Sequence, residues 1–103
     1  MGMPFEISTS AGKDGATQIR FSGQLIINNI EKINEDLASK LAIDKALEVV
    51  IDNPENVDIT FIQLIASLRK TWKASGLPFA VTATLKPDLV QLIEKSGLES
   101  QLK

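Results

Sequence analysis

The chain contains no cysteine, no histidine and no tyrosine in 103 residues. Without cysteine there are no disulfide staples, thiolate metal sites or cysteine nucleophiles. Without histidine the chain lacks the commonest general acid–base, the usual partner of a serine nucleophile and the commonest transition-metal ligand. Eleven basic and thirteen acidic residues leave a formal charge of −2, with no dense basic run. Nucleic-acid binding draws on a cluster of Lys and Arg to release counterions, so no nucleic-acid partner is expected. No apolar run approaches the length of a membrane span, so no membrane insertion is expected either. The opening "MGMPFEIS" lacks the basic and apolar blocks of a secretory leader. Glu6 stands where a myristoylation signal has Ser or Thr. Gly12-Lys13 lacks the upstream glycine of a phosphate loop, and Asp14 replaces its Ser/Thr. These absences predict a non-enzymatic, cytoplasmic protein with no catalytic residues, metal or cofactor.

The residues present give a clear period pattern. The length fits one compact domain, residues 1–103. "PFEISTS" alternates, with Phe5 and Ile7 against Glu6 and Ser8, and "TQIRFSG" sets Ile19 and Phe21 against Gln18 and Arg20. The Gly-bounded "AGKDG" between them makes the pair a β-hairpin with one wet face. After "LII", Asn28-Asn29 read as helix N-caps. Ile30, Ile33, Leu37 and Leu41 then recur at helical spacing, predicting an amphipathic surface helix from Ile30 to Ala42. "ALEVVID" reads as a strand buried on both faces. A second helix runs from Phe61 with Phe61, Ile65, Leu68 and Trp72 on one stripe. Trp72 belongs to the core on that spacing, and Gly76 stops the helix at C′. "LPFAVTATL" is the last strand. "KPDLVQLIEKSG" is the last helix, with Pro87 in its first turn and Gly97 ending it.

The order β-β-α-β-α-β-α predicts an α/β fold. Its small mixed sheet has about four strands, parallel except for the first, with helices packed on it. In such sheets, sites form beyond the C-terminal strand ends, beside helix N-termini. Here that place is "NPENVDITFIQ". Thr60 and Gln63 have the spacing of a capping box, so Thr60 reads as the N-cap of the second helix. Asp58 reads as a loop acid favouring the helix N-terminus. Ile59 is a β-branched apolar residue between two polar ones; it either tucks inward or faces a partner. Asp44, Asp52, Glu55 and Asp58 concentrate negative charge in this region, but no spacing among them is that of a metal site.

Taken together, "LIINNIEKINEDL", "ALEVVIDNPENVDITFIQLIASLRKTWKASG" and "KPDLVQLIEKSGLESQL" resemble a STAS domain, the anti-sigma factor antagonist fold, over nearly the whole chain. The resemblance implies a loop of the form Asp-Ser-x-Gly, whose Ser or Thr accepts phosphate from a partner kinase that is also an anti-sigma factor. Asp58 matches the Asp. Ile59 stands at the acceptor position, Thr60 follows it, and Phe61 replaces the Gly. Thr60, one residue displaced, is the remaining phosphoacceptor candidate.

On this resemblance the expected function is a regulatory protein-binding module in bacterial signalling. Its partner would be an anti-sigma, kinase-like or chemotaxis-type protein, bound through Asn28, Asp58, Ile59, Thr60 and Gln63. The alternative is an accessory subunit of a lipid-transporting ABC system, gripping an ATPase subunit with the same surface. The sequence is silent on oligomeric state.

Overall fold

Alternating burial along the strands Leu47–Asp52 and Phe79–Thr84, the middle of Thr17–Leu25 and the start of Phe5–Ala11 is the organising feature of the fold. The computed structural model describes residues 4–96, so Gly97, the expected end of the last helix, and the residues after it lie outside the described residues. The hairpin is formed by β1 (Phe5–Ala11) and β2 (Thr17–Leu25). It is followed by α1 (Ile30–Lys40), β3 (Leu47–Asp52), the two-residue β4 (Asn56–Val57), α2 (Ile59–Ala74), β5 (Phe79–Thr84) and α3 (Pro87–Ser96). Phe5 and Ile7 of β1, Ile19 and Phe21 of β2, and Leu47, Val49 and Ile51 of β3 are buried, while Glu6, Ser8 and Arg20 are exposed.

The sheet order is β1-β2-β3-β5, with β1 antiparallel to β2 and the other neighbours parallel. This is the mixed sheet that the sequence predicts. One expectation fails: β3 is buried on one face only, since Glu48, Val50 and Asp52 are half-buried. The reason is topological. From β2 through β3 to β5 the strand order advances in one direction, and right-handed crossovers then put both connecting helices on the same face. Ile33 and Leu37 of α1, Phe61, Ile62, Ile65 and Trp72 of α2 and Leu89 of α3 join the buried strand residues in one cluster. The opposite face of the sheet carries mostly polar side chains, including an exposed Arg20–Asp52 ion pair at 3.1 Å. Such a pair contributes only about 0–1 kcal/mol.

The two longer helices follow their sequence signals closely. α1 ends at Lys40 rather than Ala42, with Leu41 already extended. α2 closes at Gly76, whose φ is 72°. The Gly76 N–H donates to Lys73 O at 3.0 Å and the Leu77 N–H to Trp72 O at 3.0 Å. That is the paired bonding of a glycine-terminated helix, and it satisfies two carbonyls that would otherwise be orphaned. Trp72 is core, and its Nε1–H is satisfied by Lys45 O at 2.8 Å.

The short β4 has no counterpart in the sequence pattern. It pairs in parallel with the end of β2, Gln24 opposite Asn56 and Leu25 opposite Val57, and so continues past β3 along the same side of β2. Gly23 makes the transition. Its φ is 89°, and a Cβ there would lie 2.7 Å from both Phe5 Cα and Pro4 O. Only glycine accepts both the left-handed turn and that approach.

The α2 start is anchored by Phe61, which is fully buried and meets Phe21 edge-on with ring centroids 5.1 Å apart. Phe61→Ala is expected to destabilise the fold by about 3–5 kcal/mol, through lost burial and a residual cavity. Urea unfolding followed by Trp72 fluorescence measures it. A loss below about 1 kcal/mol would mean that this ring pair does not anchor the helix.

Candidate functional site

The parallel strands β2, β3 and β5 all end at one edge of the sheet, and α1, α2 and α3 begin there. Two chain segments build the corner beside β2. The first leaves β2 through a single 3-10 turn, Ile27–Asn29, and enters α1. The second leaves β3, bends at Asn53, pairs briefly as β4 and enters α2. Asn53 takes a left-handed conformation with φ of 43°, and its N–H donates to Thr84 O at 2.7 Å. Pro54 is fully buried behind it, and the Glu55 N–H donates to Gly23 O at 2.8 Å.

Asp58 joins the two segments. Its backbone is extended, and it is the N-cap of α2, with Oδ1 accepting from the Phe61 N–H at 3.2 Å. Its Oδ2 accepts from the Ile27 N–H at 2.7 Å, across 31 residues of sequence. Its own N–H donates to Leu25 O at 3.2 Å. One carboxylate therefore satisfies an orphan donor of the helix and a donor of the facing turn. Hydrogen bonds to a charged acceptor are stronger than neutral ones.

This corrects the expected cap. Thr60 is not the N-cap and forms no capping box with Gln63; α2 begins at Ile59, and Thr60 lies in its first turn, half-buried, with Gln63 exposed. Asp ranks above Thr as an N-cap, and only Asp58 also reaches the Ile27 N–H. The Asn28-Asn29 expectation is corrected too. Asn29 occupies the N-cap position of α1 but makes no side-chain cap bond. Its Nδ2 donates instead to Gln24 O at 2.8 Å and fixes the turn leaving β2. Asn28 lies exposed in that turn.

The outward surface of the corner is apolar at two points. Ile59 is 53% exposed, and Ile27 is 61% exposed. The Asp58 carboxylate holds Ile27 by its backbone and Ile59 is the next residue along, so the two exposed isoleucines belong to one clamped unit. Asn28 and Gln63 supply polar groups on the same two segments. Ile27 escaped the sequence reading, which left "LII" unassigned between the hairpin and the first helix. A signal was available: three consecutive apolar residues cannot all face the core of an alternating strand.

The acids named from the sequence do not converge. Asp52 pairs with Arg20 on the open face, and Glu55 Oε2 accepts from Gln24 Nε2 at 3.4 Å. Among the described residues no three His, Cys, Asp or Glu side chains are grouped to hold a metal ion. Among them, too, no helix is long and apolar enough to cross a membrane. The arrangement offers contact surface and fixed backbone.

A family model described as STAS domain matches residues 9–103 of the chain. No curated protein matches it.

The two roles of Asp58 separate it from Thr60 in a stability measurement. Asp58→Ala is expected to cost about 1–3 kcal/mol in urea unfolding. Thr60→Ala should stay within about 0.5 kcal/mol of the parent. Amide exchange at Ile27 should accelerate in Asp58→Ala alone. Equal costs for the two variants would return the cap to Thr60.

Proposed function

The chain belongs to the STAS domain family, and we propose that it is a non-enzymatic signalling module that docks a protein partner with the corner built around Asp58. STAS domains generally act as regulatory or binding modules. The finer reading is that the partner is an anti-sigma, kinase-like or chemotaxis-type protein of the cytoplasm. It engages Ile27, Asn28, Ile59, Thr60 and Gln63, with Asp58 holding the surface in shape.

The observation that carries this reading is the exposure of Ile27 and Ile59 on a backbone clamped from both sides by one carboxylate. Apolar side chains carried on a backbone already fixed in place need less backbone ordering on binding, which favours affinity. Ile59 stands at the position where the family resemblance implies a phosphoacceptor, and it has no hydroxyl. A phosphate there would bring roughly −1.5 to −2 charges beside Asp58 and oppose burial under a partner. With isoleucine in its place, the corner binds without that switch.

The test is affinity capture from the native cell with the full chain, comparing the parent with Ile27→Asp and Ile59→Asp. Both side chains are exposed, so the variants keep the fold. The parent should retain a kinase-like, anti-sigma or chemotaxis-type protein, and each variant should weaken that complex by about tenfold or more, as loss of a central apolar contact does. Undiminished capture by both variants would remove the corner as the docking site. Capture of an ATP-binding transporter subunit would replace the signalling reading with the lipid-transport one. Incubating the chain with a captured kinase and ATP should produce no gain in intact mass; a gain abolished by Thr60→Ala would restore a switch at the displaced hydroxyl.

A further inference from the structure

The sheet has two outer edges, β1 and β5, and they differ. At β1 the Lys40 Nζ donates to Ile7 O at 3.1 Å, so a charged side chain from α1 lies across the edge. The strand also carries the exposed Glu6. A lysine on an edge and a charge within the strand are two of the devices that stop edges from pairing with other chains. β5 has neither. Its sequence is Phe-Ala-Val-Thr-Ala-Thr, with no charge and no proline, and among the described residues no strand pairs with its outer side.

The backbone polarity of that outer side follows from the inner ladder. The Leu47 N–H donates to Pro78 O at 3.0 Å, and the Asn53 N–H to Thr84 O at 2.7 Å. Polar groups alternate sides along a strand, so Pro78, Ala80, Thr82 and Thr84 turn theirs toward β3. Phe79, Val81 and Ala83 then present their N–H and C=O groups outward. The same three residues face the core yet are only half-buried, whereas their register partners Leu47, Val49 and Ile51 on β3 are fully buried. Three apolar side chains are thus incompletely covered, beside three donor–acceptor pairs that no strand among the described residues engages.

From this we infer that the chain forms a two-fold symmetric dimer by antiparallel pairing of β5 with β5 of a second copy. Val81 lies on the axis, so it exchanges both hydrogen bonds with its own copy. Phe79 pairs with Ala83 in the same way, and Ala80 faces Thr82. The uncharged strand sets no like charges against each other across the axis. Because Lys40 blocks β1, pairing closes at two copies and does not propagate through the other edge. An interface this small gives a reversible, concentration-dependent dimer. The inference is independent of the docking reading: the Asp58 corner lies at the end of β2, and β5 is on the far side of β3 from it.

The absence of native cysteine makes the register testable. Single-cysteine variants Ala80→Cys and Thr82→Cys place thiols on the exposed face of the strand. In the proposed register they stand opposite each other across the axis at a non-hydrogen-bonded pair, about 4.5 Å between Cα atoms and within disulfide reach. Mixed, the two variants should oxidise to the cross-linked heterodimer about tenfold faster than either does alone, or than Ser10→Cys on β1 does. Sedimentation of the parent chain over about a hundredfold range of concentration should show monomer giving way to dimer. Ala83→Pro removes an outward N–H and leaves the β3–β5 ladder intact, so it should weaken dimerisation at least about tenfold. Thr82→Lys, a substitution at an exposed side chain, should do the same by placing like charges beside the axis. Trp72 fluorescence reports whether each variant is folded. Monomer at every concentration, or cross-linking no faster for the mixed pair than for Ser10→Cys, would overturn the dimer. Monomer with the Val81 and Ala83 amides protected from exchange would overturn it as well, by putting another segment of the same chain on the edge.

Discussion

A strand order that advances in one direction governs this molecule. β2, β3 and β5 lie side by side in that sequence, and each parallel crossover is right-handed, so the connecting helices fall on one face of the sheet. Only alternate strand residues are then buried, and the other face carries Glu6, Ser8, Arg20 and Thr82. Because the order does not reverse between these strands, no crevice opens between two diverging helices, as it does where a doubly wound sheet changes direction. What the strand ends present instead is a corner with outward side chains. A corner of that kind suits contact with another protein's surface.

Within the corner, Asp58 reconciles two demands on the backbone. The first turn of α2 needs an acceptor for its free N–H groups, and the turn after β2 has a free N–H of its own at Ile27. One carboxylate meets both. Phe61 shows why the local sequence departs from the pattern that the family resemblance implies. In place of a glycine stands a buried ring packed against Phe21, which ties the helix start to the centre of the sheet. The loop has given up a flexible position for a core contact, and the helix start is correspondingly ordinary in its geometry.

Much of the fold was legible from periodicity. The hairpin, the amphipathic α1, the Trp72 stripe, the glycine stop at Gly76 and the final strand and helix are all set by contacts within a few residues, or by a hydrophobic period that any observer can read. The site was legible as a location, and Asp58 and Ile59 were named. Its construction was not. Thr60 and Gln63 had the spacing of a cap, but spacing is blind to the Ile27 N–H 31 residues away that makes Asp58 the better acceptor. Asn29 read as a cap and bonds instead to Gln24 O. Ile27 was hidden in an apolar run, because a single 3-10 turn breaks the alternation that would have placed it.

The sequence by itself determined which segments are strands and helices and which of their faces are apolar; those properties follow from local propensity and from the period of the side chains. Tertiary structure decided what depends on distance in the chain. It decided that β3 is covered on one face, since that is a matter of strand order. It created β4, whose two residues form a strand only because the end of β2, bent at Gly23, is there to pair with. It also set the two edges apart, by laying Lys40 across β1 and leaving β5 with no strand on its outer side among the described residues. Each of these is a long-range choice among arrangements that the same local pattern allows.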